Sequence, residues 1–213
     1  MNVREYVDSA HEVLRALPVD AIEECVSRLH RAYEAGRTIF IIGNGGSAAA
    51  ASHLAQDLAK GAVLDWTAPR RIRALSLTDN VSYITAVAND DGYEFVYSAQ
   101  LRAFASAGDL LIVISTSGRS PNVLEAVAVA RARNMTIVGI TGGTESPLRN
   151  ASDLVIAVPV VDVGLIEGIH SVIFHYIACA LRARISGVPV DAAALTPVGE
   201  LHSFLPVVGA IAP

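Results

Sequence analysis

Charged residues are scarce in this chain of 213 residues, at 17%, and lysine occurs once, at position 60. The formal net charge is −5, and the one tight basic cluster is Arg70, Arg71 and Arg73. Three arginines directly before an apolar run are typical of a solvated lead-in to a strand. The sequence therefore offers no basic face for nucleic acid, and we expect no nucleic-acid partner.

Cysteine is also rare. The chain has only Cys25 and Cys179, and neither has a CxxC partner. We predict that both are core residues of a protein in a reducing compartment. The first residues include Arg4, Glu5 and Asp8, where a secretory signal would be apolar. No window is expected to be long and apolar enough to span a bilayer. These features predict a cytoplasmic protein without a membrane partner.

Apolar residues are abundant, at 52%, which is enough material for one well-buried domain. Two segments with helical spacing, 2–16 and 20–35, precede the first strand. Continuous apolar strands then alternate with helical segments, which predicts an α/β fold with a five-stranded parallel sheet covered on both faces. Ligands of such sheets bind beyond the carboxyl ends of the strands. The predicted strands are Thr38–Ile42, Ile72–Leu77, Leu110–Ile114, Thr136–Ile140 and Leu154–Val158.

Two loops at such strand ends have the layout of an anion site. The glycine loop, Gly43–Ser47, follows the first strand, and the hydroxyl loop, Ser115–Ser120, follows the third. Each precedes an Ala-rich helix whose N-terminal amides attract negative charge. Neither loop has a Walker ending or the dinucleotide glycine spacing, so no nucleotide cofactor is expected. Each loop alone is equally well explained as a capped turn, but the pair favours a phosphorylated small molecule.

Acid and base groups lie on two helices. His53 and Asp57 are i and i+4 neighbours on the helix after the glycine loop, although an exposed pair that merely supports a helix has the same spacing. Glu167 and His175 lie eight residues apart on the last helix, about 12 Å along its axis, so their side chains could converge. His175 alone is also typical of a core histidine, and we interpret His170 as a helix-face or interface residue.

The last helix is predicted at roughly Gly164–Ile185, and a stretch rich in Pro, Gly, Ala and Val follows it. We therefore divide the chain into one domain, residues 1–186, and a tail, residues 187–213. The tail is too apolar for a solvated linker, so we expect it to lie against the domain or a neighbouring subunit.

The order of these segments resembles the sugar isomerase (SIS) domain family, and more narrowly its phosphoheptose isomerase branch. Members of that branch convert sedoheptulose 7-phosphate to a heptose 7-phosphate. The similarity covers about residues 1–186. It rests on Gly43 to Ser47, His53 to Asp57, Val87 to Tyr93, Ile114 to Val123 and Ile166 to His175.

The resemblance implies a role for individual residues. Asp57 would be the catalytic base, His175 the catalytic acid, and Glu167 a contact to substrate or metal. It also implies a homotetramer with sites at the subunit interfaces and the N-terminal 35 residues at a subunit contact. The phosphate would be held by Ser115, Thr116, Ser117 and Ser120, and the sugar by Asn44, Gly45, Gly46, Ser47 and Asp90.

Two positions depart from the branch, which usually has Glu in place of Asp57 and Gln in place of Glu167. Aspartate sets its carboxylate roughly 1.5 Å further back, a shift that can cost about a hundredfold in rate. The added carboxylate makes a divalent metal a candidate, because two imidazoles and two carboxylates suit zinc. The implied metal ligands are His53, Asp57, Glu167 and His175.

Two alternatives to the heptose reaction stay open at this point. One is a non-catalytic SIS protein that senses phosphosugars or acts as a scaffold, as the DnaA initiator-associating protein does. The other is an isomerase for a ketose phosphate of another chain length. Competent groups at Asp57 and His175 favour an enzyme, but no sequence pattern reports the length of the sugar.

Overall fold

The computed structural model describes residues 1–63, 65 and 67–190. Its strands are β1 (Thr38–Gly43), β2 (Arg73–Ser76), β3 (Leu110–Ser115), β4 (Thr136–Gly142) and β5 (Leu154–Val158). They form one five-stranded sheet in the order β2-β1-β3-β4-β5, with every neighbouring pair parallel. This is the strand order of flavodoxin-like doubly wound sheets, so the predicted fold class is confirmed.

Helices flank the sheet, and two of them precede β1 as predicted. Their bounds are α1 (Val3–Arg15), α2 (Val19–Glu34), α3 (Gly46–Gln56), α4 (Val81–Asp90), α5 (Ser98–Phe104), α6 (Pro121–Ala132), α7 (Pro147–Ala151) and α8 (Val163–Ser186). A π-helical turn, Asp57–Gly61, continues α3, and a 3₁₀ turn, Tyr93–Phe95, lies between α4 and α5. A capping box between Asn2 and Glu5 starts α1, in which Val13 is the one buried residue.

Burial on both faces explains why the central strands are continuous apolar runs. Every residue of β3 is buried. On one face, α2, α3 and α8 enclose a core that includes Leu29, Leu54 and Ile177. On the other face, α5 and α6 enclose a second core that includes Leu101 and Val123. The sheet therefore presents its two loops at one rigid edge.

One membrane expectation was wrong. By length and composition alone, α8 is long and apolar enough to cross a membrane. Its apolar content serves the fold, because Ile169, Ile173 and Ile177 pack in the core. The helix also leaves Val172 and Tyr176 exposed. Burial of one face in the sheet core, with apolar residues remaining on the other, accounts for the high hydropathy.

The end of α8 lies beside the predicted domain boundary. Gly187 has φ 70° and ψ 7°, the left-handed conformation that closes a helix. Residues 187–190 are exposed. The rest of the predicted tail, residues 191–213, lies outside the described residues, so the predicted position of the tail stays a prediction.

Candidate active site

The hydroxyl loop is shaped by its own hydrogen bonds. The Ser115 hydroxyl accepts from the Gly118 amide at 3.1 Å, and the Ser117 hydroxyl accepts from the Arg119 amide at 3.4 Å. Gly118 has φ 61°, and a Cβ there would collide with the Ser146 side chain, so this turn requires glycine. These constraints hold the loop in one conformation at the end of β3.

Some hydroxyls of this loop make no hydrogen bond to any described residue. Ser120 precedes α6, yet its side chain makes no capping hydrogen bond. Among the described residues, neither its hydroxyl nor that of Thr116 has a hydrogen-bond partner. The guanidinium of Arg119, the one cationic group of this loop, donates to the Glu145 carbonyl at 2.6 Å. The loop therefore offers hydroxyls that the described residues leave unused, one of them directly before a helix N-terminus.

The glycine loop is filled differently. Gly45 has φ 55°, and α3 begins at Gly46 without a side-chain cap. A Cβ at Gly46 would lie 2.7 Å from Oε1 of Glu167. The half-buried Glu167 carboxylate thus lies against the first turn of α3, where the helix dipole favours negative charge.

A three-residue group, called the acid-base group below, consists of His53, Asp57 and His175. Oδ2 of Asp57 lies 3.5 Å from Nε2 of His53 and 3.3 Å from Nδ1 of His175. The imidazole rings meet edge to face with centroids 5.0 Å apart. The Asp57 side chain is 20% exposed, and those of His53 and His175 are 54% and 59% exposed. His175 is therefore not a core histidine.

The acid-base group has the donor chemistry of a metal site. One ligand atom from each residue lies within 4.8 Å of the other two. Two imidazoles and one carboxylate are a set that binds zinc with a fourth position left for water or substrate.

Glu167 is not part of that cluster. The expected convergence of Glu167 and His175 was wrong, because Glu167 turns towards Gly46 whereas His175 turns towards Asp57. The two side chains therefore contact opposite ends of α3, since Gly46 is its first residue and Asp57 directly follows its last. A cavity of about 480 Å³ is lined by residues including Gly46, Ser47, His53 and Glu167, whereas Asp57 and His175 line a separate cavity of about 190 Å³.

The local structure that begins at Asp57 was not predicted from the sequence. Asp57 starts the π-helical turn, a local widening that is frequent at functional sites. The Arg71 guanidinium donates to the carbonyls of Ala59, Val63 and Asp65 at 3.0, 3.1 and 2.7 Å. The interpretation of Arg71 as part of a solvated lead-in was wrong, since it braces the end of this turn.

The interpretation of His170 as a helix-face or interface residue was wrong, because its side chain is buried in the core. Burial lowers its pKa to about 4, so the ring is neutral near pH 7. Its Nε2 lies 3.4 Å from the Thr141 carbonyl, which requires the proton on that nitrogen. Nδ1 is buried and has no hydrogen-bond partner among the described residues.

The side chains that hold Asn44 were not among the predicted site residues. Its amide exchanges two hydrogen bonds with Asn122, at 2.9 and 2.8 Å. The hydroxyls of Tyr93 and Tyr97 lie 3.3 and 3.2 Å from Oδ1 of Asn44, and Tyr97 also donates to the Gly43 carbonyl. Burial raises the pKa of Tyr97, which keeps its hydroxyl protonated. The sequence signal that could have indicated these residues is a polar side chain at the start of an otherwise apolar helix, such as Asn122 in α6.

Asp90 lies at the exposed C-terminal end of α4 and accepts from the Asn89 side chain at 2.7 Å. The 3₁₀ turn that follows brings Tyr93 to Asn44, so α4 ends on the side of the glycine loop. Asp90 has no contact with the acid-base group in the described part of the chain. Its predicted contact with a sugar stays a prediction.

Comparison with known proteins gives consistent matches. A family model described as SIS domain matches residues 5–142. A phosphoheptose isomerase of Aneurinibacillus thermoaerophilus is 36% identical over 181 residues, 85% of this chain and 87% of that protein. One of Burkholderia pseudomallei (strain 1710b) is 38% identical over 172 residues, 81% and 83% of the two chains. The solved phosphoheptose isomerase of Neisseria gonorrhoeae has a TM-score of 0.77 and 28% identity, covering 85% and 97%.

Proposed function

Since the chain belongs to the SIS domain family, in its phosphoheptose isomerase branch, we propose that it converts sedoheptulose 7-phosphate to a heptose 7-phosphate through an enediol. The observation that carries this proposal is the acid-base group, whose His53 lines the same cavity as Gly46 and Ser47 of the glycine loop. An aldose-ketose isomerase needs a base, an acid and a fixed substrate, and these residues supply groups for each.

The hydroxyl loop is the proposed phosphate site. Hydrogen bonds to a charged group contribute about 1.5 to 3 kcal/mol each, so a few hydroxyls and amides hold a phosphate without lysine or arginine. The hydroxyl of Ser120, directly before α6, and that of Thr116, directly after β3, have no hydrogen-bond partner among the described residues, which supports this assignment. Ser115 and Ser117 supply the remaining hydroxyls of the loop.

The glycine loop and its neighbours are the proposed sugar site. Glycines at this turn let the backbone amides approach a ligand closely. The carboxylate of Glu167 already lies over the first turn of α3, so a second anion is disfavoured there and a neutral, hydroxylated part of the substrate is favoured. The proposed sugar contacts are Asn44, Gly45, Gly46, Ser47, Asp90 and Glu167.

Asp57 and His175 are the proposed base and acid. Asp57 takes the proton from C1 of the ketose, while His175 protonates the carbonyl oxygen at C2, which gives the enediol. Returning a proton to C2 and removing one from the C1 hydroxyl gives the aldose. The 3.3 Å distance between Oδ2 of Asp57 and Nδ1 of His175 supports this assignment, because it places both groups near one bound substrate.

A divalent metal such as zinc is proposed to bind the acid-base group. His53, Asp57 and His175 would hold it, and it would polarise the oxygens of the bound sugar. The fourth predicted ligand, Glu167, lies against the glycine loop, so we assign it to substrate contact.

The assembly is proposed to be a homotetramer with α1 and α2 at a subunit contact and residues 1–186 as the domain. Support comes from α1, which exposes Val3 and Val7, and from an apolar groove of about 310 Å³ between α2 and α8. The exposure of His53 and His175 favours a site that a neighbouring subunit completes. Light scattering at micromolar concentration tests the assembly, and a monomer of about 22 kDa would contradict it.

The proposed location is the cytoplasm. The two free cysteines favour it, because a reducing compartment keeps thiols unpaired.

The reaction is tested with purified protein and a panel of five- to eight-carbon ketose phosphates, with and without zinc. We expect the fastest aldose formation from the seven-carbon substrate. A faster reaction with another chain length would reassign the substrate but keep the reaction class. Binding of the whole panel without turnover, with zinc present, would instead identify a non-catalytic phosphosugar-binding protein.

A further inference from the structure

Asn122 is a buried amide whose orientation is set by the backbone. It is 2% exposed and is the second residue of α6. Its Oδ1 accepts from the amide of Val123 at 3.0 Å. A backbone N–H can only donate, so the oxygen of Asn122, and not its nitrogen, must face Val123.

The orientation of Asn44 follows from that of Asn122. The Nδ2 group of Asn122 donates to Oδ1 of Asn44 at 2.8 Å, and Nδ2 of Asn44 donates back at 2.9 Å. The hydroxyl of Tyr93 donates to the same Asn44 oxygen at 3.3 Å. The oxygen of Asn44 is therefore occupied, whereas one of its two N–H groups has no acceptor within the described residues.

We propose that Asn122 is a positioning residue that holds Asn44 as a hydrogen-bond donor to an oxygen of the substrate's sugar. This proposal rests on the proposed function. A reversed Asn44 amide would present an acceptor, which pairs with a hydroxyl but not with a carbonyl oxygen. Fixing the amide selects the orientation that serves both, and does so before the substrate binds.

The same contact joins the two loops. Asn122 lies two residues after Ser120, and the amide of Val123 also lies 3.1 Å from the Ser120 carbonyl. The turn that shapes the end of the hydroxyl loop thus also fixes Asn122, and through it Asn44 in the glycine loop. Phosphate binding and sugar orientation are set by one piece of backbone.

The first test replaces Asn122 with aspartate, which is nearly isosteric and keeps an acceptor for Val123 but cannot donate to Asn44. We expect Asn122→Asp to lower kcat/KM by about tenfold or more. Asn150→Asp makes the same chemical change at an exposed amide and is the control. Parent-like kcat/KM for Asn122→Asp would overturn the proposal.

A double-mutant cycle separates positioning from a general structural role. If Asn122 acts through Asn44, Asn122→Ala lowers kcat/KM in the parent but has little further effect in an Asn44→Ala background. Additive losses would contradict the proposal, and thermal unfolding checks that each variant folds. If the parent turns over no ketose phosphate, the proposed function fails. The same cycle is then measured on the affinity for sedoheptulose 7-phosphate, where coupling supports the positioning role and additivity overturns it.

Discussion

The glycine loop and the hydroxyl loop have the same sequence pattern, a turn of small residues between a strand and a helix. They differ in the source of the side chains that contact them in the fold. The hydroxyl loop organises itself through Ser115, Ser117 and Gly118 and keeps other hydroxyls free. The glycine loop is occupied by side chains from elsewhere, Glu167 from α8 and Asn122 from α6. This difference supports the proposed phosphate site at the hydroxyl loop and the proposed sugar site at the glycine loop, where Glu167 and Asn44 are already held in place.

The largest expected effect concerns the acid-base group beyond the glycine loop. Asp57→Asn removes the proposed base without changing the size of the side chain, and we expect turnover to fall by about 10²- to 10⁴-fold. Affinity for inorganic phosphate should stay at the parent level, because the hydroxyl loop is untouched. Steady-state kinetics and calorimetry measure the two quantities. Near-parent turnover would make Asp57 structural.

The hydroxyl loop should show the opposite pattern. Ser117→Ala combined with Ser120→Ala removes two proposed phosphate contacts, and each is expected to weaken binding by about tenfold or more. Ser82→Ala, on the exposed side of α4, is the matched control. Titration with the sugar phosphate gives the affinities. Unchanged affinity in the double variant would remove the phosphate assignment from this loop.

The two loops should also differ in their tolerance of a methyl group. Gly118→Ala forces a left-handed residue against Ser146, and we expect a loss of about 1 to 3 kcal/mol in the free energy of unfolding. Gly46→Ala meets only the end of the Glu167 side chain, so that stability is expected to hold while turnover falls. Denaturant unfolding decides this, and equal stability losses would mean that the loops are equally rigid.

The smallest expected effect concerns His170, beneath the site. Its pKa in the fold, about 4, lies below the ordinary 6.5, so its contribution to stability is present above pH 6.5 and is lost as the pH falls towards 4. Between pH 7.5 and 5.5 the loss from this group is about 1 kcal/mol. His170→Asn should reduce the decline, and His11→Asn, at an exposed position, should not. An unchanged pH profile in His170→Asn would show that His170 does not become charged on unfolding.

The fold was predictable because its signals are local. Apolar runs bounded by glycine and serine define β1 and β3, and the i and i+4 spacing was enough to pair His53 with Asp57. The direction of Glu167 was not predictable, since it depends on how α8 packs across α3. The contact of Arg71 with the π-helical turn was not predictable either. Arg71 donates to backbone carbonyls up to 12 residues away, and backbone carbonyls do not show in a pattern of side chains.

Carbon-bound deuterium tests the account most directly. The protein, loaded with zinc, is incubated with sedoheptulose 7-phosphate in D₂O, and the aldose product is analysed by NMR. A base at Asp57 that exchanges its proton with solvent predicts deuterium at C2 of the aldose, with both product and label lost in Asp57→Asn. Turnover with hydrogen fully retained at C2, or with equal labelling in Asp57→Asn, would contradict the enediol mechanism through Asp57.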